Sequence, residues 1–250
     1  MLLRLSHNNR ILKTDLSQAV DISLPVVFEP GLCRAWQAPL PKEQPIDYGK
    51  PASVASGFSV NSFEFKVAPH SHCTHTEWAA HFLTERPSLP LNIIPILMPA
   101  LLITVIPRSD EKGQLWIKAS DLETLFIPEE KIPAVLFRTW PNSPEKITKN
   151  YTQTQPPAFE PEAMIFLKNN GVYHLITDLP SVDPESDEGR LSAHRLFLSN
   201  EDSSIIRTIT ELVFIPDTLK DGLYILNLQL APIPGDAVPS RPLISPVIGF

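Results

Sequence analysis

The sequence is poor in the residues that build disulfide scaffolds, structural zinc sites and nucleic-acid interfaces. Its 250 residues include only two cysteines, Cys33 and Cys73, so we expect no disulfide framework and no thiolate-based structural zinc site. Lysine and arginine form no dense run, and the formal net charge is -7. This acidic balance disfavours a nucleic-acid partner.

The sequence also lacks an apolar run suited to an export signal or a membrane span. Arg4 and His7 interrupt the N-terminal segment MLLRLSHNNRILK, which therefore lacks the apolar core of a signal peptide. The most apolar window, residues 89–106, is interrupted by prolines, which exclude a simple membrane-spanning helix. We expect a cytoplasmic protein without a membrane partner.

Proline, by contrast, is abundant. The chain contains 27 prolines, and proline interrupts helices and central strands. Hydrophobic residues make up 43% of the chain, enough for a substantial core. No internal repeat or linker is evident. We therefore expect one domain over residues 1–250, with an irregular proline-rich segment at about 1–60.

Strand patterns outnumber helix patterns, which predicts an α/β fold with mixed sheets and few helices. The clearest helix is Glu160–Asn170, with Pro161 in its first turn and Gly171 after its end. Ser120-Asp121-Leu122-Glu123 resembles the capping box of a short helix, and residues 141–157 read as a loop. Strands are predicted at Asp21–Leu24 continuing to Val26–Phe28, at Phe63–Val67, Leu102–Ile106, Ala134–Thr139, Val172–Ile176, Glu211–Ile215 and Leu223–Leu230.

Four of the seven histidines lie in the segment PHSHCTHTEWAAH, residues 69–81. On a strand, His75 and Glu77 would share a face, whereas on a helix Glu77 and His81 would do so. A strand that becomes a helix near Glu77 would aim all three side chains at one point. Imidazole and carboxylate suit Zn²⁺, Mn²⁺ or Fe²⁺. A solvated polar loop and a proton-transfer site without a metal are the alternatives.

Further ligands would have to come from distant histidines. His7 lies in a terminus that no pattern tethers, and His174 lies in an apolar strand, where a hydrogen-bonded histidine is expected. His194 follows an acidic loop and is the best distal candidate.

These segments resemble the metal-dependent cyclase/hydrolase family that includes bacterial kynurenine formamidase and isatin hydrolase. Thr74-His75-x-Glu77-x3-His81 fits the second half of its motif His-x-Gly-Thr-His-x-Asp-x-Pro-x-His, with Cys73 in place of glycine, Glu77 in place of aspartate and Ala79 in place of proline. Pro69-His70 fits the first histidine of a longer subgroup pattern, and His72 is the competing candidate.

The second half of the chain carries further matches in the family's order. They are Asp178 to Asp183 for Asp-x-Pro-Ser-Val-Asp, the pair His194-Arg195, the segment Thr208–Leu212 with its glutamate, the pattern Asp221 to Leu228, and the tail Asp236 to Pro242. With Asp21-Ile22-Ser23 at the front, the resemblance runs from about residue 20 to the end.

The resemblance implies a β/β/α swivelling-domain fold, a homodimer or larger homo-oligomer, and a centre of one or two divalent ions, Zn²⁺ or Mn²⁺. His70, His75 and Glu77 would hold the first ion. His194 and Glu211 would complete the site or hold a second ion, with Glu77 bridging. His81 would transfer protons.

The implied activity is hydrolysis of a small, non-peptide C–N amide by a metal-bound hydroxide, as in arylformamidases, with N-formylkynurenine or a cyclic amide as substrate. A non-catalytic small-molecule-binding relative and a lyase or cyclase with the same metal are the alternatives.

Other residues have structural interpretations. Trp36 is expected to pack in the core more than to stack on substrate, and Arg138 to form a buried ion pair. Turn hydrogen bonding and helix capping are expected of Asp178, Ser181 and Asp183. Cys73 would be strained if its position needed a positive φ, and it would place a thiol beside the metal.

Overall fold

The structure is a computed structural model that describes residues 1–86, 89, 94–125, 131–199 and 205–249. The helices in these residues are α1 (Pro69–His72), α2 (Ala119–Leu125), α3 (Pro161–Asn169) and α4 (Ser192–Leu198). The strands are β1 (Leu2–His7), β2 (Arg10–Asp15), β3 (Val20–Asp21), β4 (Lys42–Pro45), β5 (Phe63–Lys66), β6 (His75–Glu77), β7 (Met98–Val105), β8 (Arg108–Ser109), β9 (Leu115–Ile117), β10 (Ala134–Thr139), β11 (Ala158–Phe159), β12 (His174–Thr177), β13 (Thr208–Glu211), β14 (Gly222–Asn227), β15 (Ala237–Pro239) and β16 (Leu243–Gly249).

One large mixed sheet organises the molecule. Its strands follow the order β1-β2-β16-β14-β7-β10-β12-β13-β6-β15, and β3 pairs with β16. The central strands β7, β10, β12 and β13 are parallel, and the strands on both sides are antiparallel. Smaller sheets join β11, β9 and β8, and join β4 and β5. The predicted α/β fold with mixed sheets and few helices is confirmed.

The central strands are buried on both faces, which explains their continuous apolar sequences. In β10, Val135 and Phe137 pack in a core that includes residues of α3 and α4, whereas Ala134 and Leu136 face the opposite core. This period of two follows from the alternation of side chains along a strand. The single domain predicted for residues 1–250 remains a prediction.

Several predicted elements are present at their expected positions. β10 spans the predicted residues 134–139, and α3 begins at Pro161 with Glu160 and Asn170 as its caps. Gly171 follows with a φ of 78°, as its capping position requires. β5 is present, although all of its side chains are exposed rather than those of one face.

Three predicted strands end well before their patterns indicate, and one of them is Leu223–Leu230, which ends at Asn227. The chain at Asp21–Phe28 forms only β3 and an isolated bridge at Ser23, and Pro25 then removes a backbone donor. The strand predicted at Glu211–Ile215 instead ends at Glu211. Leu212 has a φ of 55°, a left-handed conformation that turns the chain out of the sheet.

Three local predictions are wrong. α2 begins at Ala119, so Ser120 lies inside the first turn and does not cap the helix. The loop at 141–157 contains a 3-10 helix, Pro144–Ile147. His7 is not in an untethered terminus, because it pairs with Arg10 in the β1–β2 hairpin.

Arg138 forms the buried ion pair that the sequence predicts, whereas Asp178 makes long-range contacts instead of the predicted turn or capping bonds. The buried Arg138 donates to Asp221 at 2.9 Å. The carboxylate of Asp178 accepts from the Thr139 amide at 2.9 Å and from Lys146 at 2.8 Å. Burial raises the pKa of Asp178, and the charge of Lys146 opposes this effect.

The α-helices of the described residues are four to nine residues long. None of those in the described part of the chain is long and apolar enough to cross a bilayer. Residues 90–93 of the apolar window lie outside the described residues.

His174 is the hydrogen-bonded core histidine that its strand predicts. It is buried, and its Nδ1 lies 2.9 Å from Thr208 Oγ1. Burial lowers the pKa of His174 to about 4, because the charged imidazolium loses hydration.

We predict that His174→Asn reduces the loss of stability in acid. The folded-state pKa lies below the ordinary value of 6.5, so the unfolded chain takes up the proton first. The stability that neutral His174 contributes is complete above about pH 6.5 and is lost as the pH falls toward about 4. Between about pH 7.5 and about pH 5, the free energy of unfolding should fall by ~2 kcal/mol more in the wild type than in the variant.

Urea unfolding of both proteins at the two pH values measures this difference. The control is His7→Asn on the edge strand β1, which should follow the wild type. Identical pH dependence of the wild type and His174→Asn would contradict the assignment.

Candidate metal centre

The candidate site forms where β6 lies between β13 and β15. His75 and Glu77 are two residues apart on β6 and share a face. The chain then enters a 3-10 helix, Ala79–His81, which returns His81 toward that face. β13 places Glu211 opposite His75. The predicted change from strand to helix near Glu77 is therefore present.

The carboxylate of Glu77 lies at the centre of the cluster and is completely buried. Its Oε1 lies 2.6 Å from His194 Nε2. Its Oε2 lies 3.3 Å from His70 Nδ1 and 3.9 Å from His81 Nδ1. Side chains from α1, β6, the 3-10 helix and α4 thus meet at one carboxylate.

A second carboxylate, Glu211, completes the cluster. Its Oε2 lies 3.4 Å from His75 Nε2, and its Oε1 lies 3.5 Å from His194 Nε2. Two groups of potential ligand atoms result, and within each group all of the atoms lie within 4.8 Å of one another. One group is His70, Glu77 and His81, and the other is His75, Glu77 and Glu211. Glu77 belongs to both groups.

Three of the histidines are oriented from outside the cluster. His75 Nδ1 donates to the Cys73 carbonyl at 3.1 Å, and His194 Nδ1 lies 2.6 Å from Asp183 Oδ2. His70 Nε2 lies 3.0 Å from Asp236 Oδ2. Each outer contact is made to an oxygen acceptor. The second nitrogen of each ring therefore presents its lone pair to the cluster.

The donor set fits a divalent metal. Both oxygens of Glu77 and Nδ1 of His81 are buried and form no hydrogen bond within the described residues. An unsatisfied buried carboxylate is costly, and a cation among imidazole nitrogens and carboxylate oxygens would satisfy it. The residues of the cluster thus match the oxygen and nitrogen preferences of Zn²⁺ or Mn²⁺.

Without a bound cation, protonation of neighbouring histidines balances the charge of Glu77. Burial lowers the pKa of His194, but the charge of Glu77 and the bond to Asp183 outweigh it and hold that pKa well above its usual value. Burial similarly lowers the pKa of His70, but the hydrogen bond to Asp236 and the charge of Glu77 raise it to about 9. Protons and a metal would compete for the same lone pairs.

The sequence left His70 and His72 as alternatives, and their side chains point in different directions. His72 Nδ1 accepts from the Ala68 amide at 3.0 Å, and its Nε2 lies 3.0 Å from the Pro39 carbonyl oxygen. Both nitrogens of His72 therefore bind the backbone, whereas His70 enters the cluster.

Cys73 differs from its expected behaviour. Its φ is -156°, an extended conformation open to any residue, so the substitution for glycine causes no strain. Its thiol is in neither group of potential ligands. Burial raises the pKa of this thiol to about 12, with Arg34 opposing the effect.

A cavity of about 480 Å³ opens onto the cluster. Its wall includes His70, Glu77, His81, Trp36 and Leu191. Trp36 is 38% exposed, so it is less buried than the packing interpretation predicts.

Asp183 has the capping role that the sequence predicts, because it accepts from the amides of Ala193 and His194 in the first turn of α4. Its contact with the His194 ring was not predicted. Ser181 accepts from the Asp183 amide at 3.1 Å, as expected of a turn.

Asp236 contacts His70, a role that was not predicted from the sequence. It lies in the loop between β14 and β15, and its Oδ2 is also 3.6 Å from His81 Nδ1. The available signal was that Asp236 is the only acidic residue in the proline-rich segment 231–242.

Known proteins resemble this chain in sequence. Residues 14–184 match the model of the Cyclase family. The chain is 27% identical over 233 residues to the kynurenine formamidase of Bacillus mycoides (strain KBAB4). The aligned residues make up 92% of this chain and 99% of that protein.

Solved structures share the fold. An isatin hydrolase bound to the product analogue thioisatinate has a TM-score of 0.66 at 16% identity, with 92% of each chain covered. A predicted metal-dependent hydrolase from Bacillus stearothermophilus has a TM-score of 0.62 at 17% identity, with 91% of this chain and 97% of that chain covered. Since the family model spans more than half of the sequence and the fold agrees, the chain belongs to the Cyclase family.

Proposed function

We propose that the protein is a metal-dependent hydrolase that cleaves a small, non-peptide C–N amide. The observation that carries this proposal is the buried carboxylate of Glu77, which has no hydrogen bond and is surrounded by imidazole nitrogens. The names of its relatives, kynurenine formamidase and isatin hydrolase, support the same class of reaction.

The proposed ligands of a first ion are His70, His75 and Glu77. His194 and Glu211 would complete the site or hold a second ion, with Glu77 shared between the two. When bound, Zn²⁺ or Mn²⁺ would polarise the amide carbonyl and lower the pKa of a coordinated water. The open cavity on one side of the cluster leaves room for substrate.

His81 is the proposed proton-transfer residue. Its ring lies 4.5 Å from the ring of His70 and 5.4 Å from that of His194, and its Nδ1 forms no hydrogen bond. As a neutral imidazole it can take a proton from the attacking water and deliver it to the leaving nitrogen. Because the leaving nitrogen is protonated as the C–N bond breaks, it departs as a neutral amine rather than as an unstable nitrogen anion.

The cavity suits a compact aromatic substrate. Its volume is at the lower end of the range for small-molecule sites, and Trp36 offers a flat wall for stacking. We propose N-formylkynurenine or a cyclic amide such as isatin as the substrates to test. A cytoplasmic homodimer, which the resemblance implies, is also proposed.

We predict that Glu77→Gln abolishes metal binding, because the amide removes the shared negative charge at the centre of the cluster. After incubation with Zn²⁺ or Mn²⁺ and gel filtration, the wild type should retain about one or two ions per chain by elemental analysis. The control is Glu64→Gln on the exposed strand β5, which should retain the same amount. Wild-type protein that remains metal-free would overturn the hydrolase proposal and favour a non-catalytic binding protein.

A matched pair of histidine variants tests the assignment of the first ligand. His70→Ala should lower the metal content, because its Nδ1 points into the cluster. His72→Ala should retain the metal even if it lowers the melting temperature, because both of its nitrogens bind the backbone. The opposite result would assign the ligand to His72.

We predict that His81→Asn lowers kcat for N-formylkynurenine or isatin by ~10²- to 10⁴-fold and leaves the metal content unchanged. The product formed in ¹⁸O-labelled water should carry the label, which distinguishes hydrolysis from a lyase or cyclase reaction. Loss of metal in His81→Asn would make His81 a ligand instead. Unchanged kcat would remove it from the mechanism.

A further inference from the structure

The two ring nitrogens of His70 face different partners. Nδ1 lies 3.1 Å from His75 Nε2 and 3.3 Å from Glu77 Oε2, inside the cluster. Nε2 lies 3.0 Å from Asp236 Oδ2, at the edge of the cluster. His70 therefore links the buried carboxylate to a second one that is 38% exposed.

The partner of Nε2 decides which nitrogen of His70 can bind a metal. A neutral imidazole carries one proton and one ring lone pair for coordination. An ionised aspartate accepts hydrogen bonds and donates none, so the contact with Asp236 places the proton on Nε2. The lone pair of Nδ1 then points toward Glu77.

The position of Asp236 is itself determined by two restraints. Arg86 Nη2 donates to its Oδ1 at 3.2 Å, which leaves Oδ2 for His70. The next residue, Ala237, pairs with Glu77 across β15 and β6. The strand that carries the central carboxylate therefore also places Asp236 beside His70.

We propose that Asp236 is a positioning residue, which holds His70 in the tautomer that binds the metal through Nδ1. This role rests on the metal centre proposed above. Asp183 and the Cys73 carbonyl make the equivalent contacts to His194 and His75 from buried positions. Asp236 makes its contact from the partly exposed edge of the cluster.

Metal affinity tests this role without reference to turnover. The Zn²⁺ dissociation constant would be measured by chelator competition in the wild type, Asp236→Ala and Asp21→Ala. Asp21 is a matched control, because it is 36% exposed and is also paired with an arginine, Arg241. Asp236→Ala should bind Zn²⁺ ~10- to 100-fold more weakly, and Asp21→Ala should bind it as the wild type does.

A conservative replacement separates tautomer control from loss of charge. In an Arg86→Ala background, the amide oxygen of Asp236→Asn is free to accept from His70 Nε2. Arg86→Ala/Asp236→Asn should therefore bind Zn²⁺ nearly as tightly as Arg86→Ala does, whereas Arg86→Ala/Asp236→Ala should bind it more weakly. ¹⁵N-histidine NMR of the Zn²⁺-loaded wild type should show the His70 proton on Nε2.

The outcomes are distinguishable. Equal Zn²⁺ affinity of the wild type and Asp236→Ala would overturn the positioning role alone, as would equal weakening by Asp236→Ala and Asp21→Ala. A wild-type protein that binds no divalent ion would overturn the metal centre and, with it, this role.

Discussion

The carboxylate of Glu77 is the constraint around which the site is arranged. A fully buried charge without a hydrogen bond is tolerated only when other charged or coordinating groups balance it. Nitrogens of His70, His81 and His194 approach it from three separate elements. The rings of His70 and His194 are in turn oriented by carboxylates outside the cluster, so the arrangement extends well beyond the atoms that would touch a metal.

The mixed sheet makes this convergence possible. Its parallel centre is buried on both faces and provides a rigid base, with β13 at the edge of that centre. The short strand β6 pairs with β13 on one side and with β15 on the other. Residues that are far apart in the sequence, such as His75, Glu211 and Asp236, are thereby placed in adjacent positions. The helical side of the sheet contributes His194.

Local patterns predicted the central elements well and the connecting elements poorly. β10 and α3 have clear apolar periodicity and distinct ends, and both are present as expected. The strand expected beyond Glu211 fails because Leu212 adopts a left-handed conformation that its side chain does not signal. In the capping-box segment the helix begins two residues earlier than predicted, and an acceptor from a distant part of the chain, Glu160, lies 3.3 Å from the Ala119 amide.

The sequence by itself determined that histidines and a glutamate would cluster, because the spacing of His75, Glu77 and His81 matches a strand followed by a helical turn. Only the tertiary structure decided that His70 enters the cluster while His72 binds the backbone of its own segment and of a neighbouring loop. It also brought Asp236, 166 residues from His70, within hydrogen-bond distance of Nε2 of that ring. The physical reason is that side-chain direction follows local backbone periodicity, whereas hydrogen-bond partners depend on which distant segments the sheet brings together.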